Sequence, residues 1–265
     1  MAQESDPRRT AVVMAGTRGL GQACAAELLR GGLEVTVCGR DGERLQQAVA
    51  ELGAVAGDDA VTGERADVSS TEDVERLVGG AVERYGRLDV LVVNAGGPPP
   101  GDFADVSMED WDTAYALTLR SAVTAIRAAV PAMRERGFGR IAVIGSSSVR
   151  RPLEGLVLSN VFRPALTGLV KSLAGDLAPD GITVNMVSPG RIDTERVRTL
   201  DERKAQRQGT TAEEVRRGSE AAIPAGRYGR PEELAALVGF LAEERAGYIT
   251  GQSLLADGGL TPTLP

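Results

Sequence analysis

Short apolar runs rich in β-branched residues alternate with longer amphipathic stretches from one end of this chain to the other. The runs fall at 10–15, 34–38, 61–66, 88–94, 140–145, 182–188 and 253–256, and the amphipathic stretches lie near 20–33, 41–52, 71–86, 109–136, 159–179 and 231–243. Strands that are apolar on both faces and separated by helices read as a parallel sheet covered on each side. Right-handed crossovers wind such a sheet doubly, so the expectation is a single-domain, Rossmann-type α/β fold of about seven strands spanning residues 1–265. That length suffices for one well-buried core, and no Pro/Ser-rich linker divides it.

Composition removes several classes of function. Histidine is absent altogether, which excludes Ser-His-Asp and Cys-His mechanisms and the usual zinc sites, so no metal is expected. The net charge of −7 argues against a nucleic-acid or anionic-membrane surface. Residues 1–9 carry no apolar signal core, and no stretch approaches the roughly 20 apolar residues of a membrane span. A cytoplasmic protein is the expectation. The two cysteines, Cys24 and Cys38, read as small buried hydrophobes rather than a disulfide. Aromatic residues make up only 3%, so Val, Leu and Ala must fill the core.

The first strand runs into Ala15-Gly16-Thr17-Arg18-Gly19-Leu20-Gly21 and then a helix. Glycines permit a tight turn and close approach of the backbone to a pyrophosphate, and the helix N-terminus supplies free N–H groups and a positive dipole end. The strand–turn–helix context at the start of the chain gives this spacing its weight. Between 191 and 226 the rhythm breaks into polar, charged sequence following a strand end, where ligands of open α/β sheets bind. This segment reads either as a solvated helical excursion or as a substrate lid.

Taken in order, the motifs resemble the short-chain dehydrogenase/reductase family, most closely its bacterial 3-oxoacyl-(acyl carrier protein) reductase branch. The resemblance covers nearly the whole chain. It rests on the glycine turn at 15–21, Asp67-Val68, Asn94-Ala95-Gly96-Gly97, Pro189-Gly190-Arg191-Ile192-Asp193-Thr194, and Tyr248-Ile249-Thr250-Gly251-Gln252 leading to Asp257-Gly258-Gly259. It implies that Asp67 and Val68 hold an adenine ring, that Asn94, Ala95 and Gly96 border a cofactor ribose, and that Pro189, Gly190, Ile192 and Thr194 contact a nicotinamide carboxamide. It also implies that 251–259 supports the last strand and a subunit interface. The helices at 109–136 and 159–179 resemble the family's interface helices, so a homo-oligomer, a tetramer or dimer, is expected.

Charge selects between the two nicotinamide cofactors. The second strand ends Val37-Cys38-Gly39-Arg40, with no acidic residue for ribose hydroxyls. Arg40 can pair with a 2′-phosphate through its planar fork, and Arg18 in the glycine turn is a second cation on the same side. NADP(H) is therefore expected.

The reaction site departs from the family pattern of Asn, Ser, Tyr and Lys. Thr118 falls at the asparagine position, which in relatives holds a water in a proton relay, and Ser146 at that of the carbonyl-polarising serine, with Ser147 and Ser148 adjoining it. Ser159 stands where the family places its proton-transferring tyrosine, and Arg163 where it places the lysine that lowers that tyrosine's pKa and holds the ribose. These two lie four residues apart on one helix face. An aliphatic hydroxyl is a far weaker acid than a phenol, and arginine stays charged and shuttles no protons, though it can hold a ribose or an oxyanion. Among other tyrosines, Tyr115 reads as a core helix position, and Tyr248 lies far away in sequence, as does Tyr228, the best-placed substitute.

Three functions fit. The first is an NADP(H)-dependent oxidoreductase acting on a carbonyl or hydroxyl of a small or carrier-bound substrate. In it Ser146 polarises the oxygen, Ser159 relays a proton with water, and Arg163 fixes the ribose and stabilises negative charge. The second is a dehydratase or isomerase on the same scaffold, and the third a catalytically silent NADP-binding protein.

Overall fold

The computed structural model describes residues 8–263, so the reading of the first seven residues as free of a signal core lies outside it. Seven parallel strands form one sheet in the order β3-β2-β1-β4-β5-β6-β7. They are β1 (Thr10–Val13), β2 (Glu34–Gly39), β3 (Val61–Arg65), β4 (Val90–Val93), β5 (Gly139–Ile144), β6 (Ile182–Pro189) and β7 (Ser253–Ala256). The flanking helices are α1 (Gly19–Arg30), α2 (Gly42–Ala56), α3 (Thr71–Tyr85), α4 (Met108–Tyr115), α5 (Ser121–Arg136), α6 (Val157–Leu177), α7 (Glu195–Gln208), α8 (Ala212–Ala222) and α9 (Pro231–Leu241). This is the doubly wound, single-domain Rossmann-type architecture expected from the alternation.

The central strands are apolar throughout because each residue faces one of two cores. On β1, Val12 and Met14 point to one side, with Leu77 of α3, Ile126 of α5 and Leu166 of α6. Ala11 and Val13 point to the other, with Leu28 and Leu29 of α1 and Leu234 and Val238 of α9. Strand periodicity of two sends neighbours to opposite faces, and both faces are covered. Cys24 belongs to one core and Cys38 to the other. Both thiols are free and buried, as read from the sequence, and burial pushes each pKa up to about 12.

One expectation about elements needs correction. The stretch 109–136 is not one helix: a π-helical segment, Ala116–Arg120, separates α4 from α5. Within it the Ser121 hydroxyl donates to the Leu117 carbonyl over 2.6 Å, a side-chain bond that competes with the regular backbone ladder. A single inserted register shift of this kind leaves the amphipathic pattern intact on either side, which is why periodicity does not reveal it. The charged segment 191–226 folds into α7 and α8. Gly209 closes α7 in the left-handed region at φ 64°, and Thr211 opens α8 with a capping box to Glu214. Among the described residues, no helix is long and apolar enough to cross a membrane.

Candidate active site

The strand order reverses between β1 and β4, and the crevice of an open α/β sheet lies at that switch, beyond the strand C-termini. The glycine turn leaves β1 here. Ala15 occupies the left-handed region at φ 46°, a conformation costly for a residue with a Cβ, and Gly19 follows at φ 55°. A Cβ on Gly16 would stand 2.9 Å from Val37, and one on Gly21 would strike the Ala15 carbonyl. Helix α1 begins directly after the turn with no side-chain cap, leaving its first-turn amides facing the crevice entrance. Asn94 braces the turn: its side-chain amide donates to the carbonyls of Met14 and Ala15, each over 3.2 Å.

Farther along the sheet edge lies a cluster of arginines. Gly39 lets the end of β2 pass Thr17, where a Cβ would come within 2.5 Å of that side chain. Arg40 is exposed and stands 3.6 Å from the Asp67 carboxylate. Burial works to raise the Asp67 pKa, but the Ser69 N–H and hydroxyl, and then Arg40, outweigh it and hold the carboxyl below its usual range. Arg44, which no motif marks, donates to the Thr17 carbonyl over 3.0 Å and so flanks the turn as well. Arg18 pairs instead with Glu195 at the start of α7, across the mouth of the crevice. Val68 is buried in the core beneath.

Toward the other end the crevice opens into a cleft of about 720 Å³, walled by the C-terminal ends of β4, β5 and β6, by α6 and by α7. Ser146, Ser159 and Arg163 all line it, together with Leu20, Asn94, Ala95, Pro189, Gly190, Ile192 and Thr194. Gly96 leaves open space where a Cβ would stand. Ser146 leaves β5 and opens a short helical turn, its hydroxyl accepting from the Ser148 N–H over 3.1 Å. Ser147 also reaches the cleft, whereas the Ser148 hydroxyl is buried with no hydrogen-bond partner among the described residues. Arg163 is buried in α6 and donates to the Ile144 carbonyl over 2.6 Å, which pins the helix to the end of β5 next to Ser146. Burial, and then the charge of Arg196, pull its pKa down to about 10, so it remains a cation at neutral pH.

Thr118 stands apart. It lies in the π-helical segment, buried, with its hydroxyl unpartnered among the described residues and outside the lining of the cleft. The tyrosines also stand elsewhere. Tyr115 is not a core residue but is 43% exposed, its ring 6.2 Å from that of Phe162. Tyr228 is buried and donates to Asp201 over 2.9 Å, and Tyr248 is fully exposed. Neither lines the cleft.

The wall contributed by α7 is not foreseen from motifs. Arg196, Leu200, Arg203, Lys204 and Arg207 all face the cleft. The signal for this was present as helical spacing on one face of the charged segment. Arg196 donates to the Pro98 carbonyl over 2.9 Å, with its guanidinium against Gly97, where a Cβ could not fit.

Fold and crevice thus define a nucleotide-binding α/β scaffold, and comparison with known proteins narrows it. The family profile described as Enoyl-(Acyl carrier protein) reductase matches residues 14–261. The chain is 36% identical over 252 residues to dehydrogenase/reductase SDR family member 4 of Oryctolagus cuniculus, covering 95% of this chain and 93% of that protein. Among solved structures, L-sorbose reductase from Gluconobacter frateurii, complexed with NADPH and L-sorbose, superposes with a TM-score of 0.91 at 30% identity, covering 97% of this chain and 98% of that one. A variant of actinorhodin polyketide ketoreductase with NADPH gives 0.92 at 33% identity, with the same coverage of each. The chain belongs to the short-chain dehydrogenase/reductase family of oxidoreductases.

Proposed function

We propose that this protein is an NADP(H)-dependent oxidoreductase acting on a carbonyl or hydroxyl of a small or carrier-bound substrate, with Ser146, Ser159 and Arg163 in place of the family's usual constellation. The observation that carries the reading is convergence: these three residues line one cleft with the strand ends that follow the glycine turn. The residues fit the cofactor. Gly16, Thr17, Gly19, Leu20 and Gly21 form a tight turn in which a Cβ at Gly16 or Gly21 would clash, at an uncapped helix N-terminus suited to a pyrophosphate. Arg18 and Arg40, with Arg44 beside them, supply cations for a 2′-phosphate. Asp67 and Val68 border the adenine, and Asn94, Ala95, Gly96, Pro189, Gly190, Ile192 and Thr194 the nicotinamide half. Two of the structural relatives are described with NADPH.

When bound, the cofactor supplies a hydride for the carbonyl carbon, and the chain supplies everything else. The Ser146 hydroxyl donates to the carbonyl oxygen and polarises it. Ser159 passes its own proton to the developing alkoxide and takes one from solvent water, a relay suited to a hydroxyl too weakly acidic to ionise. Arg163, buried and charged, orients the ribose and steadies negative charge on the oxygen; a cation in a low-dielectric site acts more strongly than one in water. Thr118 is placed to act only through the segment it occupies. Within the segment 191–226, α7 walls the cleft and serves as its lid. Exposed Tyr115 and Val161, on the two long helical stretches, suit a homo-oligomer, which light scattering at micromolar concentration tests.

The test is substrate-dependent NADPH oxidation over a ketone panel, with Arg163→Ala and Ser159→Ala as controls. A second reading, a non-redox dehydratase or isomerase, is favoured by one observation: no tyrosine lines the cleft. Product formation without cofactor turnover would select it.

A further inference from the structure

The chain as a whole is acidic, with a net charge of −7, yet the wall of this cleft is the reverse. Its cations are Arg163, Arg191, Arg196, Arg203, Lys204 and Arg207, and its acids Asp105 and Glu154. Arg191 is neutralised by Asp201 at 2.7 Å, and Arg207 stands 4.0 Å from Asp102. Arg163, Arg196, Arg203 and Lys204 have no carboxylate partner among the described residues. They also repel one another: Arg196 presses on Arg163, and Arg203 on Arg196. Gathering like charges along one cleft focuses a positive potential into it.

The placement separates this charge from the cofactor's own phosphates. Helix α7 starts at the glycine turn, where Glu195 meets Arg18, and ends where Arg207 approaches Gly155 in the loop before α6. At 1.5 Å per residue, Arg203 lies roughly 10 Å along the axis from Arg196, away from the pyrophosphate end. Arg203, Lys204 and Arg207 therefore lie toward the end of the cleft near Gly155, away from the glycine turn. Interleaved Val197, Leu200, Leu153 and Leu260 make the wall apolar between the charges.

We propose that the substrate is an anion: a carbonyl compound with an apolar body and a carboxylate or phosphate that is held by Arg203 and Lys204 of the lid, with Arg196 between that group and the reacting carbon. This rests on the reductase reading for the carbonyl and on the α7 stripe alone for the anion. The α7 stripe is then the specificity element, because the charges it carries need a partner in the cleft.

The experiment compares NADPH oxidation by the full chain with benzoylformate and with its neutral methyl ester. The acid is expected to exceed the ester in kcat/KM by about tenfold or more, an advantage that shrinks as salt screens the charges. Arg203→Gln with Lys204→Gln should remove that advantage through KM and leave the ester within about twofold of its original value. An ester turned over as well as the acid, or a double variant that slows both equally, overturns the proposal. Calorimetric titration of benzoate, phenyl phosphate and benzamide, with and without NADPH, separates this from the reductase reading. If no ketone is reduced but an anion binds and the double variant weakens it, the reductase reading fails and the anion site stands. Tighter binding of benzoate assigns a carboxylate and of phenyl phosphate a phosphate, whereas equal binding of all three or of none overturns the site.

Discussion

Arg18 of the glycine turn and Glu195, the first residue of α7, form an ion pair of 2.9 Å that bridges the mouth of the cofactor crevice. The pair joins the glycine turn to the start of α7. Arg18 first, by hydrogen bond and then by charge, holds the Glu195 carboxyl below its usual range. If Arg18 serves a 2′-phosphate, as proposed, Glu195 and the phosphate compete for one guanidinium. Glu195→Gln should tighten NADPH binding by up to a few-fold, the modest size reflecting two exposed partners, and should leave NADH unaffected. Fluorescence titration of both cofactors reads this, and equal effects on the two would refute the competition.

Arg40 has the freer guanidinium, because its partner Asp67 stands 3.6 Å away and is itself satisfied by Ser69. NADPH should bind tighter than NADH, and Arg40→Ala should cost NADPH about tenfold or more while NADH changes little, since each charge-assisted contact is worth on the order of 1.5–3 kcal/mol. Equal affinity for the two cofactors in the parent protein would sink the assignment.

Much of this could be read from the chain beforehand, and the exceptions have causes. Strand β7 falls on residues 253–256 in both readings, and the glycine turn needs its small residues for steric reasons visible in one dimension. The π segment at Ala116–Arg120 could not be read, because it shifts register by one residue without altering composition; Tyr115 just before it is exposed, and Thr118 within it is buried outside the lining of the cleft. The role of Arg163 as a tie to Ile144 was equally hidden: a side chain reaching a backbone carbonyl leaves no mark in the sequence. The cationic face of α7 was legible as spacing but not as direction, since only the packed lid shows which face meets the cleft.

Tyr228 is spoken for by the fold. Its hydroxyl donates to Asp201, which also receives Arg191, and the three pin α7 to the strand end below. Burial raises its pKa, so it is a poorer acid than a free phenol. Tyr228→Phe should lower stability by about 1–2 kcal/mol, or roughly 2–4 °C in Tm, with kcat within about twofold of the parent. Loss of turnover in a folded, cofactor-binding variant would instead make Tyr228 the missing proton donor.

Cys24 and Cys38, each pushed up to about 12 by burial first, hold almost no thiolate at pH 8. The native protein should resist a thiolate-directed reagent such as iodoacetamide, and denaturant should expose both to labelling. Mass spectrometry counts the adducts. Rapid labelling of either thiol in the native protein would contradict the packing described for both cores.

The altered pair gives the sharpest test of the chemistry. Ser159 and Arg163 both line the cleft, Arg163 tied to the Ile144 carbonyl over 2.6 Å. A tyrosine at 159 would extend into the cleft, whose volume of about 720 Å³ has room for the ring, and would regain both reach and acidity. A lysine at 163 would keep a positive charge at the same turn of α6 and lower the phenol's pKa. If the native reaction is carbonyl reduction with a weakened acid, Ser159→Tyr with Arg163→Lys should raise turnover of a simple activated ketone, each tenfold gain corresponding to about 1.4 kcal/mol of barrier. If Ser159 and Arg163 serve a different reaction, the double change should abolish that reaction and yield little reductase activity. NADPH oxidation by both proteins on one ketone panel decides, with folding and NADPH binding verified for each. A folded, NADPH-binding but inactive double variant would show that the pocket, and not only its acid, is unsuited to reducing a carbonyl.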